Sequence, residues 1–140
     1  MTDYFELLLP RDEQLALSAL GMAHLGDGVY ELMVRSWLIL HGFGKKNNLH
    51  RETVSRVRAS YQAQALKRIE GMLTGEETAV AHRGRNAHVG NIPKNASRSE
   101  YSHATALEAL FGYLYLNGKR ERLNELFEAI MKEEVEQDAT

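Results

Sequence analysis

Residues 101–116 read YSHATALEALFGYLYL, and this stretch decides the fold. Its apolar residues fit one continuous helix, expected from Ser99 to Leu116 and ended by Asn117-Gly118, with no strand-like alternation. One acid, Glu108, stands inside this most apolar segment of the chain. Because carboxylates rarely occupy such surroundings unless they are paired or hold a metal ion, Glu108 is a candidate functional residue.

A second apolar stretch, LGDGVYELMVRSWLILH, occupies residues 25–41. It predicts a helix from about Leu25 to His41, with Asp27 at its start and Gly42 beyond its end. The apolar face shows the spacing i, i+3, i+4, i+7. Trp37 on that face is expected in the core. The residues that carry the spacing are Val29, Leu32, Met33, Ser36, Trp37 and Leu40.

The rest of the chain also carries helical periodicity, so we predict an all-α fold in one domain, residues 1–140, of the kind found in helical bundles. The acidic segment 133–140 is expected to fray or be disordered. Residues 84–98, GRNAHVGNIPKNASR, form a loop by composition. The other expected helices are Pro10 to about Met22, Asn47 or Asn48 to about Met72 with a bend near Ser60, Glu76 to about His82, and one from Lys119.

Composition excludes several classes of protein. No cysteine occurs, which rules out a disulfide scaffold, a zinc ribbon and a thiol nucleophile. The start of the chain is acidic and lacks the features of a signal peptide. The apolar segment 29–40 is too short and too charged to cross a membrane. We therefore expect a cytoplasmic protein with no membrane partner.

The charge distribution is uneven although the net charge is only −2. Residues 41–103 contain 11 Lys/Arg and 5 Asp/Glu, a net charge of +6, and five of the six histidines. Such a segment can form a local surface for anions, although taken alone a solvated basic helix is the better interpretation.

Asp27 and Glu108 together are the candidate catalytic and metal-binding residues. One acid from each of two packed helices can hold a divalent ion, and Mg²⁺ prefers oxygen ligands and keeps waters that can attack a phosphodiester. An N-terminal helix charge at Asp27 and a salt bridge at Glu108 remain equally good alternatives. Glu31 is better explained as a surface partner of Arg35 than as a third acid of the site.

The loop and its border hold groups suited to phosphate. Glycine beside arginine and asparagine allows close approach of an anion, to which backbone N–H groups can also donate. The candidate RNA-binding residues are Arg83, Arg85, Asn86, Lys94 and Asn95.

Several blocks, in order, resemble Mini-ribonuclease III, the group of ribonuclease III enzymes without a double-stranded RNA-binding domain; we expect none here. The stretch from His24 to Gly42 resembles the signature segment around LGDAV. Further blocks match at 47–50 (NNLH), 83–87 (RGRNA) and 93–95 (PKN), and the segment 101–116 resembles the second acidic segment.

The sequence also departs from ribonuclease III patterns. Full-length enzymes place a Glu where Ala23 stands and an Asp where Thr105 stands, and both replacements are typical of the Mini subgroup. His24 and Gly28 replace the usual aromatic residue and Ala of that subgroup.

The resemblance implies a metal-dependent endoribonuclease that cleaves double-stranded RNA with Mg²⁺ or Mn²⁺ and matures precursor large-subunit ribosomal RNA. It also implies a homodimer, in which we expect apolar residues near Tyr30–Leu40 and Leu107–Leu116 to form the interface. The alternative is a non-catalytic RNA-binding or ribosome-assembly module on the same fold. The net positive middle and the polar loop count against a purely structural bundle.

Overall fold

A computed structural model of the protein describes residues 1–45, 48–87 and 97–138. Within these ranges the only regular structure is helical, which confirms the all-α prediction, and none of these helices is long and apolar enough to cross a membrane. Short 3₁₀ turns follow α2 and α4. The helices are α1 (Arg11–Ala16), α2 (Ala19–Leu40), α3 (Leu49–Val57), α4 (Ala59–Ile69), α5 (Gly75–Arg85), α6 (Arg98–Leu116) and α7 (Arg120–Asp138).

Helix α6 is the centre of the domain. It packs against α2, α4 and α5 along its length and also contacts α7. Its apolar residues, such as Leu107, Leu110 and Phe111, are fully buried, because helices cover it on several sides. The predicted core position of Trp37 is confirmed, since its side chain is buried in the same cluster.

Helices α2 and α6 cross at a glycine contact. A Cβ atom at Gly26 would fall on the backbone carbonyl of Glu108, and one at Gly112 would fall on the carbonyl of Met22. Both positions therefore require glycine for the backbones to approach this closely. On another side of α6, a Cβ atom at Gly84 of α5 would lie 2.7 Å from the Cβ atom of Ala109. Helices α2 and α5 thus pack closely against α6 at these glycine residues.

Helix α2 begins earlier than the sequence predicts. Its N-cap is Ser18, whose hydroxyl accepts a hydrogen bond from the Gly21 backbone N–H at 2.9 Å. The first expected helix is therefore two helices, with extended backbone at Leu17 and Ser18 between them. Asp27 consequently lies roughly two turns inside α2. Its interpretation as a charge at a helix N-terminus is wrong.

Two other helix boundaries also differ from the predicted ones. The third helical region breaks at Arg58, whose backbone is extended, rather than bending near Ser60. Helix α5 continues to Arg85, so Arg83 and Arg85 are helical residues and not part of the loop. The predicted end of this helix near His82 left out its last turn. That turn is rich in basic residues, which favour a helix C-terminus.

Helix α7 continues through the acidic segment to Asp138, whereas the sequence suggested fraying from Glu133. Glu134 explains part of this order, because its carboxylate accepts a hydrogen bond from Arg56 Nε at 2.8 Å and another from the Tyr61 hydroxyl at 3.0 Å. Arg56 also binds Glu52 and lies over the ring of Trp37. The end of α7 is thereby attached to α3 and α4.

The glycine contact can be tested with a matched pair of substitutions. Gly26→Ala should destabilise the protein by about 1–3 kcal/mol or more, because the new methyl group collides with backbone that cannot move independently. Gly28→Ala, two residues away in the same helix with nothing within 4 Å of the added Cβ, should instead stabilise it by about 0.5–1 kcal/mol. Urea denaturation measures both values, and equal effects would contradict the close crossing.

Candidate active site

The crossing of α2 and α6 brings Asp27 and Glu108 together. Their carboxyl groups are close enough to share a hydrogen bond. Asp27 is exposed, whereas the Glu108 side chain is mostly covered by the helices around it. The pair therefore opens to solvent on the side of Asp27 and has a protein wall behind Glu108.

Burial raises the pKa of Glu108 to about 8, and the negative charge of Asp27 adds to the effect. Desolvation and a like charge both disfavour an ionised carboxylate. Among the residues that the structure describes, no lysine or arginine forms an ion pair with Glu108. The interpretation of Glu108 as half of a salt bridge is therefore wrong.

A third side chain, Gln62 of α4, contacts the acidic pair. It is 2% exposed, and its Nε2 donates to Val57 O at 2.7 Å and to Glu108 Oε2 at 3.3 Å. Its Oε1 is buried and has no hydrogen-bond partner in the structure. The hydrogen bond to Glu108 is long, but this donation by Gln62 opposes the rise in the pKa of the Glu108 carboxyl.

Gln62 was not among the predicted site residues, although the sequence carries a signal for it. Gln62 stands on the apolar face of α4, at helical spacing from Ala65, Leu66 and Ile69. A glutamine on a buried face needs hydrogen-bond partners, since an unpaired buried amide is costly. That position alone would have marked it as a polar residue inside the core.

The chemistry of these donors suits a hard cation. Two carboxylates from separate helices offer oxygen ligands, and the unpaired Oε1 of Gln62 offers a further acceptor nearby. In the described parts of the chain, no group of three or more His, Asp or Glu side chains is arranged to hold a metal ion. An ion held by this pair would therefore keep much of its hydration shell, as Mg²⁺ commonly does.

Two other polar residues of α2, Glu31 and His24, stand near Asp27 in the sequence. Glu31 pairs with Arg35 at 3.0 Å on the exposed surface of α2, as the sequence analysis favoured. His24, one turn before Asp27, is also exposed.

Among the predicted RNA-binding residues that the structure describes, the two arginines do not line the same cavity. Arg83 and Arg85 are both exposed on α5, but they line different cavities. Arg83 faces a cavity of about 330 Å³ beside Arg11 and Tyr113, and Arg85 faces one of about 220 Å³ beside His82 and His103. Neither cavity is lined by Asp27 or Glu108.

Asn86 is the C-cap residue of α5 and is exposed, next to both arginines in sequence. Lys94 and Asn95 lie outside the described residues, as does the greater part of the predicted loop. The first two residues of the predicted loop, Gly84 and Arg85, therefore belong to the last turn of α5.

Comparisons with known proteins agree with this fold. The sequence profile of the Ribonuclease III domain matches residues 20–119. The Mini-ribonuclease 3 of Brevibacillus brevis is 47% identical over 118 residues, covering 84% of this chain and 87% of that protein. The Mini-ribonuclease 3 of Thermoanaerobacter sp. is 42% identical over 121 residues, covering 86% and 85% of the two chains.

A solved crystal structure of a Fusobacterium nucleatum protein superposes with a TM-score of 0.76 at 32% sequence identity, covering 84% of this chain and 93% of that one. The matched profile includes α2 to α6, and hence both acids and Gln62. On this evidence the chain belongs to the Mini-ribonuclease 3 group of the ribonuclease III family, and it is an endoribonuclease of the ribonuclease III type.

Proposed function

We propose that the protein hydrolyses phosphodiester bonds of double-stranded RNA at a divalent cation, Mg²⁺ or Mn²⁺, held by Asp27 and Glu108. The observation that carries the proposal is the meeting of these two carboxyl groups, one exposed and one mostly covered, with no lysine or arginine of the described residues paired to Glu108. Such an arrangement is unfavourable in itself and becomes favourable when a metal ion binds.

Each residue has a distinct role in this proposal. Asp27 is exposed, so it is the ligand nearest to an arriving phosphate. Glu108 holds the cation from the protein side, and the Nε2 donor of Gln62 restrains the Oε2 atom of Glu108. A bound divalent cation supplies an activated water and offsets the charge that develops on the phosphate.

RNA would be held through Arg83, Arg85 and Asn86 at the end of α5, together with Lys94 and Asn95. Their cationic and amide groups can donate to phosphates and 2′-hydroxyl groups, which A-form RNA presents along its shallow groove. Because Arg83 and Arg85 face different cavities, we propose that they contact separate phosphates rather than clamping one.

We further propose a homodimer that uses the outer face of α2. Leu32, Ile39 and Leu40 on that face are 57%, 60% and 80% exposed, which is an unusual grouping of large apolar side chains. The other half of the expected interface, Leu107–Leu116, is wrong, because its leucines and Phe111 are already buried inside the subunit. A two-fold dimer would give two sites, one for each RNA strand.

The proposed biological substrate is precursor large-subunit ribosomal RNA in the cytoplasm, as the family resemblance implies. The alternative, a non-catalytic RNA-binding or ribosome-assembly module, would not need two acids in mutual contact. Their presence favours the enzyme, and cleavage of a duplex with Mg²⁺ but not with EDTA distinguishes the two.

Removal of either acid should abolish cleavage without unfolding the protein. Asp27→Asn and Glu108→Gln keep the shape of the side chain but lose an anionic oxygen ligand. We expect a loss of at least about 100-fold, beyond the roughly 10–100-fold typical of residues that only support a ligand. Glu31→Gln is the control. Cleavage of a blunt RNA duplex on a denaturing gel, with circular dichroism of each variant, measures the effect; near-normal activity in a folded Asp27 or Glu108 variant would contradict the assignment.

Glu108→Gln should also stabilise the metal-free protein, increasingly so as the pH rises. The folded protein keeps a proton on Glu108 up to about pH 8, whereas the unfolded chain loses it near pH 4.5. The free energy of unfolding of the native sequence therefore falls as the pH rises through this window. With EDTA present, we expect the variant to gain about 1–2 kcal/mol at pH 8 and little at pH 5. Chemical denaturation at both values tests this, and a pH-independent difference would argue against a raised pKa.

The salt dependence of RNA binding should reveal the arginine contacts. If Arg83 and Arg85 each neutralise one phosphate, Arg83→Gln and Arg85→Gln should each lower the slope of log affinity against log salt by about one. Lys119→Gln, on a separate cavity with Phe5 and Glu6, is the control and should leave the slope unchanged. Filter binding to a duplex in Ca²⁺ would measure the slopes; unchanged slopes for both arginine variants would place the RNA elsewhere.

A further inference from the structure

Gln62 is a buried side chain whose hydrogen bonding is only partly accounted for by the metal-free protein. Its amide nitrogen donates to two acceptors, Val57 O and Glu108 Oε2. Since the backbone carbonyl of Val57 can only accept, the atom that donates to it at 2.7 Å is the amide nitrogen and the remaining amide atom is the oxygen. That oxygen is buried and has no hydrogen-bond partner among the residues that the structure describes. A buried acceptor left unpaired is costly, so we expect a hydrogen-bond donor to reach this oxygen in the functional state of the protein.

The position of the unpaired oxygen is limited by covalent geometry. The oxygen and nitrogen of one amide are about 2.3 Å apart, given their bonds to a common carbon. Because Gln62 Nε2 lies 3.3 Å from Glu108 Oε2, the unpaired oxygen is within about 5.6 Å of that carboxylate atom. That distance is short enough for the hydration shell of a cation on Glu108 to reach it.

We propose that Gln62 is a positioning residue of the metal site, acting through both ends of its amide. The Nε2 end fixes the orientation of Glu108, because it is itself anchored on the carbonyl of Val57 at 2.7 Å. The Oε1 end accepts a hydrogen bond from the hydration shell of the bound cation, which gives the unpaired atom its partner. This inference rests on the proposed metal site at Asp27 and Glu108.

The local fold explains how Gln62 can hold this position. Helix α3 ends at Val57, and the extended backbone of Arg58 starts α4 in a new direction. The Gln62 backbone N–H then bonds to Arg58 O within the first turn of α4. The side chain is thus attached to the end of one helix and projects from the start of the next, with little freedom to move.

Substitution of Gln62 should weaken cation binding in the absence of RNA. Gln62→Met removes both amide functions at similar length, and we expect affinity for Mn²⁺, measured by calorimetry or electron paramagnetic resonance, to fall roughly 10–100-fold. The matched control is Gln64→Met, the same change at an exposed position of the same helix. A folded Gln62→Met protein that binds Mn²⁺ as tightly as the native one would overturn the proposal.

A second measurement does not require the variant to fold. In ¹⁵N-labelled native protein, the side-chain NH₂ resonances of Gln62 should shift when Mg²⁺ is added, and should not shift in Glu108→Gln. Resonances unmoved by Mg²⁺ at concentrations that saturate the native site would also overturn the proposal. If native protein binds no divalent cation at all, or if Glu108→Gln binds it normally, the metal site itself fails, which is a different result.

Discussion

The close approach of α2 and α6 at Gly26 and Gly112 is the constraint on which the site depends. At this crossing, backbone lies directly on backbone, since neither position has room for a Cβ atom. Asp27 follows Gly26, and Glu108 supplies the carbonyl that Gly26 contacts, so the backbone positions of the two acids are fixed by main-chain packing. Interiors packed this tightly resist small displacements. The separation of the two backbone positions that carry the carboxyl groups is therefore a property of the fold.

The acidic pair is unfavourable for the stability of the metal-free protein. Glu108 is covered by protein, lies next to a second carboxyl group and receives only one long hydrogen bond from Gln62. A well-packed neutral residue would suit this position better, and the large surrounding core of α6 offsets the cost. Ionisable groups with strongly perturbed pKa values are common at functional sites.

The sequence predicted the helical fold and the two acids but not how the surrounding groups are arranged. Apolar periodicity identified α2 and α6, because a helix buried on one face repeats its pattern over many turns. It failed at Ser18, where a single capping hydroxyl sets the start of α2. It also could not show that Arg83 and Arg85 diverge, since that depends on whether the chain there is helix or loop. The apolar face of α4 could have marked Gln62 as a buried polar residue, but its partner Glu108 lies 46 residues away, and no local pattern records that contact.

The two small buried residues near the acids, Ala23 and Thr105, have a consequence for the charge balance of the site. Both are 5% exposed, and they stand where the full-length enzymes that the sequence resembles carry two more acids. With those positions neutral, Asp27 and Glu108 would contribute two negative charges when a bound metal keeps both ionised, and a single divalent ion would cancel them. An approaching phosphate would then meet a centre of zero net charge, and long-range attraction would have to come from the arginines and lysines of the basic middle segment. If Asp27 and Glu108 hold a divalent ion as proposed, attraction of the RNA and cleavage of its backbone would depend on different charged groups.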